Sequence, residues 1–144
     1  MTRATRSTTR ARARLVLIVE DDAPVGELLA TAINEERGYE ALCVGDADAA
    51  LEAFSRVVPD LLVLDIRLPG MSGLELYDRL RADERFRNVP VVFETGSTRE
   101  HLDELRERGI ATYVKKPFDI EQLVRFVKRL APPLTMAEPH RRRT

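Results

Sequence analysis

Short apolar runs and amphipathic stretches alternate along this chain. Residues 15–19 (LVLIV), 41–44 (ALCV), 61–64 (LLVL), 90–94 (PVVFE) and 111–115 (ATYVK) predict strands. Most of these runs are continuously apolar, which is the pattern of strands covered on both faces. Between them the spacing becomes helical. Val25, Leu28, Leu29, Ala32 and Ile33 form one stripe, and Ala47, Ala50, Leu51 and Phe54 a second. Ile120, Leu123, Val124 and Val127 form the last. Two less regular helices, over residues 73–83 and 98–108, rest on Leu74, Tyr77 and Leu80 and on Leu102 and Leu105. Ser72 with Glu75, and Ser97 with Glu100, have the spacing of capping boxes.

Five strands alternating with five helices predict an α/β fold, a five-stranded parallel sheet in a doubly wound (βα)5 arrangement. Folds of this class bind ligands at the carboxyl ends of their strands, so the residues where each strand stops are the informative ones. The first run stops at Glu20-Asp21-Asp22, the third at Asp65, the fourth at Thr95 and the fifth at Lys116-Pro117. Asp65 is the most demanding of these, because a carboxylate at the tip of a core strand is costly to desolvate.

The chain has 144 residues, enough for one domain with a proper core. That domain is expected over residues 14–131, with a basic arm at 1–13 and a Pro-rich tail at 132–144. Net charge is −1, unevenly spread: residues 1–14 carry +5, residues 131–144 carry +2, and the segment between carries −8. The Arg-rich arm reads as a solvated tail; a transit peptide and a weak phosphate-binding arm are the alternatives. No stretch reaches the roughly 18 apolar residues of a membrane span. Cys43 stands alone within ALCV and reads as a small hydrophobe, and a lone cysteine suits the reducing cytoplasm, the expected location. With His101 and His140 as the only histidines, a zinc site is not expected.

If the sheet is parallel, the strand ends converge on one edge. Carboxylates crowded there repel unless a cation joins them, and an all-oxygen donor set suits Mg²⁺. A lysine ammonium and a threonine hydroxyl at the same edge can bind phosphoryl oxygens. Simpler roles exist for each residue. Asp21 or Asp22 could cap the helix beginning near Pro24, Thr95 could merely end a strand, and Lys116-Pro117 could be a turn containing a cis proline. For Asp65 such a role is harder to find, since Pro69-Gly70 already supplies the turn.

LVLIVEDD, LLVLDIRLPGMSG, PVVFETG and YVKKPF, in this order and spacing, resemble the receiver domain of bacterial response regulators across about residues 14–131. The resemblance implies a flavodoxin-like fold. It implies that Asp65 is phosphorylated by a histidine kinase or histidine phosphotransfer protein in a Mg²⁺-dependent reaction, a self-catalysed transfer by a switch rather than an enzyme. Glu20, Asp21 and Asp65, with the backbone carbonyl of Arg67, match the metal ligands. Lys116 matches the phosphoryl-binding lysine, Thr95 the switch hydroxyl, Tyr113 the switch aromatic and Pro117 the cis proline. An output protein would dock on the face made by the fourth helix, fifth strand and fifth helix. The expectation is a stand-alone receiver with no specific nucleic-acid or membrane binding. A phosphorelay intermediate, or a receiver piece of a larger DNA-binding regulator or hybrid kinase, is the alternative. A phosphatase of the haloacid-dehalogenase type would need an acid two residues after the nucleophile, where Arg67 stands.

Three positions depart from the commonest pattern of the family. Glu20 stands where many relatives have Asp, Gly96 where Ala is frequent, and Glu94 where a hydrophobic residue usually precedes the Thr. Strand alternation, with Thr95 and Lys116 both facing the site, predicts that Glu94 and Lys115 point away together and pair.

Overall fold

In the computed structural model, which describes residues 12–96, 98–117 and 119–134, the apolar runs become five parallel strands. These are β1 (Arg14–Val19), β2 (Tyr39–Val44), β3 (Leu61–Asp65), β4 (Val91–Thr95) and β5 (Tyr113–Lys115). The helices between and after them are α1 (Ala23–Asn34), α2 (Ala47–Phe54), α3 (Gly73–Arg81), α4 (Arg99–Glu107) and α5 (Ile120–Leu130). Strand order is β2-β1-β3-β4-β5, so the chain winds outward in both directions from β1 and β3.

Side chains alternate across this sheet and divide the core in two. Leu17, Val19, Leu62, Leu64, Val91 and Phe93 pack under α2, α3 and α4. Val16, Ile18, Leu61, Val63 and Val92 pack under α1 and α5, against Leu29, Ile33, Leu123 and Val127. The central strands β3 and β4 are buried at every position, which accounts for their unbroken apolar sequence. The edge strands are less covered, and exposed Lys115 on β5 places a charge where a bare edge would invite pairing with another chain.

The helix starts are fixed by local chemistry. Asp22, not Asp21, caps α1, its carboxylate accepting from the Val25 N–H at 3.3 Å. Ser72 and Glu75 form the capping box of α3 in both directions, at 3.2 and 2.9 Å. At α4 the sequence expectation is corrected: the N-cap is Thr98, whose hydroxyl accepts from the His101 N–H. Ser97 lies outside the described residues. One extra residue before the helix moves the cap by one position, since any Ser or Thr with an extended backbone can fill it. The expected basic arm lies outside the described residues except for residues 12 and 13, and so does most of the expected tail. Of the tail, Pro132 accepts a 2.6 Å hydrogen bond from Arg14 Nε, tying the end of α5 to the start of β1. Among the described residues, no helix is long and apolar enough to cross a membrane.

Candidate functional site

Register brings the charged strand ends together. Val19 pairs with Leu64, so Glu20 and Asp65 follow side by side, and Asp65 lies opposite Glu94 on β4. Lys116 follows β5 directly, its N–H bonded to the Thr95 carbonyl at 2.8 Å, and the Lys116–Pro117 peptide bond is cis. Among the described residues, the buried polar side chains are Glu20, Asp65, Glu94 and Thr95, all at this one edge.

Both oxygens of Asp65 are engaged. Oδ1 accepts from the Arg67 N–H at 3.0 Å, and Oδ2 accepts from Lys116 Nζ at 2.8 Å. The loop beyond Asp65 folds back so that the Gly73 N–H bonds the Ile66 carbonyl at 2.9 Å. A Cβ on Gly73 would overlap the backbone carbonyl of Asp65, so the absence of a side chain there is a steric requirement. Glu20 Oε2 accepts from the Asp22 N–H at 3.0 Å, and its Oε1 lies 3.6 Å from Lys116 Nζ. One carboxylate oxygen each from Glu20, Asp21 and exposed Asp21's buried neighbour Asp65 come within 4.8 Å of one another. A cleft of about 620 Å³, lined in part by Asp21, Arg67, Ser72, Glu75, His101 and Arg108, opens alongside.

The electrostatics follow from burial and crowding. Burial pushes the Asp65 carboxyl above its ordinary range; the Lys116 bond opposes the rise and the Glu20 charge adds to it. For Glu20 burial acts upward too, but Glu94, the Asp22 amide and Lys116 together hold it below its usual value. Lys116 resists desolvation and is raised by Asp65, Glu20 and Glu94. Glu94 is pushed up to about 9, first by burial and then by the Glu20 carboxylate beside it. Glu94 thus holds its proton more readily than an ordinary carboxyl.

The expected Glu94–Lys115 pair does not form. Glu94 is fully buried with Oε1 4.0 Å from Lys116 Nζ, whereas Lys115 is exposed. Glu94 stands opposite Val114 in the β4–β5 register and Thr95 opposite Lys115. Alternation therefore places Glu94 and Lys116 on one face, with Asp65 and Glu20, and Thr95 on the other, with Phe93 and Tyr113. The expectation failed because it put Thr95 and Lys116 on the same face. Thr95 is fully buried, and Tyr113 is half-buried against the core under α2, α3 and α4. Sequence reasoning thus missed Glu94 as a member of the site, and it gave no role to Gly73. The one available signal for Glu94 was the parity of its position relative to Asp65, which requires the register. Cys43 is half-buried and unpaired, and burial raises its thiol.

A five-stranded parallel sheet, covered by helices on both faces, gathers a buried aspartate, a lysine and three further acids at its carboxyl edge, and that places the chain in the doubly wound α/β class. The model of the response regulator receiver domain matches residues 16–128. The chain is 36% identical over 118 residues to the phosphate regulon transcriptional regulatory protein PhoB of Escherichia coli, a match covering 81% of this chain and 51% of that protein. It is 35% identical over 117 residues to hybrid signal transduction histidine kinase D of Dictyostelium discoideum, covering 81% of this chain and 7% of that protein. Among solved structures, the signal receiver domain of a signal transduction histidine kinase from Syntrophus aciditrophicus superposes with a TM-score of 0.77 at 30% identity. That match covers 88% of this chain and 96% of that one. The chain belongs to the response regulator receiver family of two-component signalling. It spans about half the length of PhoB.

Proposed function

We propose that Asp65 is the phosphoacceptor and that this chain is switched by its phosphorylation. One observation carries the reading: the Asp65 carboxylate, 3% exposed at the tip of β3, has Lys116 at 2.8 Å and two other acids within metal-sharing distance. The donor is a phosphohistidine on a kinase or phosphotransfer protein. An oxygen of Asp65 attacks phosphorus as the N–P bond breaks, an acyl phosphate forms, and the imidazole leaves with the electron pair. Positioning and charge neutralisation supply most of the catalysis in such transfers.

The donor set fits Mg²⁺, which takes oxygen ligands in an octahedron and retains some waters. Glu20, Asp21 and Asp65 would hold it with the Arg67 carbonyl, and Glu20 Oε1, buried with no hydrogen-bond partner among the described residues, supports a cation there. The bound ion supplies neutralisation of charge on the phosphoryl oxygens. Lys116 transfers its contact from Asp65 Oδ2 to a phosphoryl oxygen. Thr95 and Tyr113 carry the switch to α4 and β5, and the output partner reads the α4-β5-α5 face.

Incubation with a small phosphodonor and Mg²⁺, followed by intact-mass measurement, tests this. Wild type gains one phosphoryl mass, whereas Asp65→Asn and wild type in EDTA gain none. The same acid-labile adduct on Asp65→Asn would overturn the assignment. Lys116→Ala is expected to be almost as impaired as Asp65→Asn, since exposed Lys115 points away from the site.

A further inference from the structure

Glu20 is longer than the Asp common at its position, and the added rotatable bond gives its carboxylate more ways to point. The start of α1 restrains it. Glu20 Oε2 accepts from the Asp22 N–H at 3.0 Å, while Oε1 lies 3.6 Å from Lys116 Nζ. The N–H that fixes Glu20 therefore belongs to the N-cap of α1, and the cap sets its direction. Asp22 is extended, with φ −84° and ψ 102°. Its Oδ1 accepts from the Val25 N–H at 3.3 Å and its carbonyl from the Gly26 N–H at 2.9 Å, so residue 22 is tied to the first turn twice. The same turn meets the stem of Glu20. Gly26 is buried, and a Cβ there would lie 3.8 Å from Glu20 Cβ and Cγ and 2.6 Å from Cys43 Sγ. A residue without a side chain lets α1 come this close. The Asp22 carboxylate is itself exposed and stands outside the set of Glu20, Asp21 and Asp65 oxygens that lie within 4.8 Å of one another.

We propose that Asp22 is a positioning residue for the metal site: by capping α1 it aims its own backbone N–H at Glu20 Oε2 and holds that carboxylate in one orientation for the ion. This rests on the metal-binding role proposed above for Glu20. The charge of Asp22 is not what the role requires. An N-cap needs a side-chain acceptor, and Asn and Ser supply one about as well as Asp. Without the cap the first turn of α1 frays, and the ion binds only the fraction in which Glu20 is still held.

Titration with MgCl₂ followed by amide NMR tests the proposal without any phosphotransfer, and the same spectra report the fold of each variant. Asp22→Ala is expected to weaken Mg²⁺ binding about fivefold, the contribution of an ordinary cap to an equilibrium. Asp22→Asn and Asp22→Ser, which keep the acceptor and remove the charge, are expected to stay within about twofold of wild type. Asp46→Ala removes the corresponding cap of α2, where the Asp46 carboxylate accepts from the Ala49 N–H at 2.8 Å. It is expected to lose comparable stability in urea and to bind Mg²⁺ within about twofold of wild type. The proposal is overturned if Asp22→Ala binds as wild type does, or if Asp46→Ala is weakened as much as Asp22→Ala. It is also overturned if the Asn and Ser variants are as weak as the Ala variant, since the carboxylate itself would then serve the ion. Glu20→Ala, expected to bind more weakly than any of these, tests the underlying reading separately. Wild-type affinity in that variant would remove the metal role of Glu20, a pattern distinct from the other three.

Discussion

Glu94 retains a proton in the folded chain that it releases near 4.5 when unfolded, because its buried carboxyl is pushed up to about 9. Between those values the unfolded state binds fewer protons than the folded state, so stability falls as pH rises, by at most about 1.4 kcal/mol per pH unit from this group. Below the ordinary value both states are protonated and nothing is lost; above about 9 both are ionised and the loss stops growing. Glu20, held low, acts in the opposite sense and only at the acid end, where its stabilising contribution is lost as pH falls. In EDTA, wild type should therefore lose denaturant stability from about pH 5 to about pH 9, and Glu94→Val should show a flatter profile and greater stability at the alkaline end. Equal slopes for the two proteins would contradict this account. Gly73 makes a second prediction at this scale. Gly73→Ala forces its Cβ onto the backbone of Asp65 and should destabilise by about 1–3 kcal/mol or more, measured by urea unfolding.

Among the elements, α4 is attached to its neighbour by a definable contact. Arg108, capping the end of α4, makes a bidentate pair with Asp78 of α3 at 2.8 and 2.9 Å and also donates to the Glu104 carbonyl. Leu105 is the one fully buried residue of α4, so little apolar burial holds this helix. The pair is partly exposed, and its coupling in an Asp78→Ala/Arg108→Ala cycle should not exceed about 1 kcal/mol. Its effect on α4 should be larger than that figure suggests, because the anchor has few companions. Amide exchange in α4 should accelerate in Arg108→Ala while exchange in α1 and α5 stays as in wild type. Uniform acceleration across all helices would show that the pair stabilises the whole domain instead.

At the scale of the molecule, the residues proposed for the chemistry and those proposed for the switch fall on opposite faces of the sheet. Asp65, Glu20, Glu94 and Lys116 share one face at the carboxyl edge, while Thr95 shares the other with Phe93 and Tyr113. A phosphoryl group on Asp65 that draws Thr95 towards it would alter packing on the far face, where α4 lies, and shift the population of a second arrangement. Thr95→Ala is accordingly expected to accept phosphate with the same Mg²⁺ requirement while losing most of the phosphorylation-dependent change in α4 amide exchange. A Thr95→Ala protein that takes up no phosphate where wild type does would move Thr95 from the switch into the chemistry.

The order of strands and helices was legible in the chain because each element states its own period: unbroken apolar runs for β1 and β3, 3.6-residue stripes for α1 and α5, and a Ser72–Glu75 box before α3. The residues of the candidate site were legible for a related reason, since a parallel sheet sends every strand end to one edge, so that Glu20, Asp65, Thr95 and Lys116 could be gathered without coordinates. What the chain could not show was which way the last side chains of β4 and β5 turn. A strand's alternation is local, but its phase relative to its neighbours depends on register, and register is set by how two covered faces pack. Only the pairing of Asp65 with Glu94, and of Glu94 with Val114, put a fourth carboxyl inside the site and left Lys115 in solvent. The buried proton on Glu94 has the same origin, because desolvation belongs to the surroundings that tertiary packing builds and to no stretch of sequence.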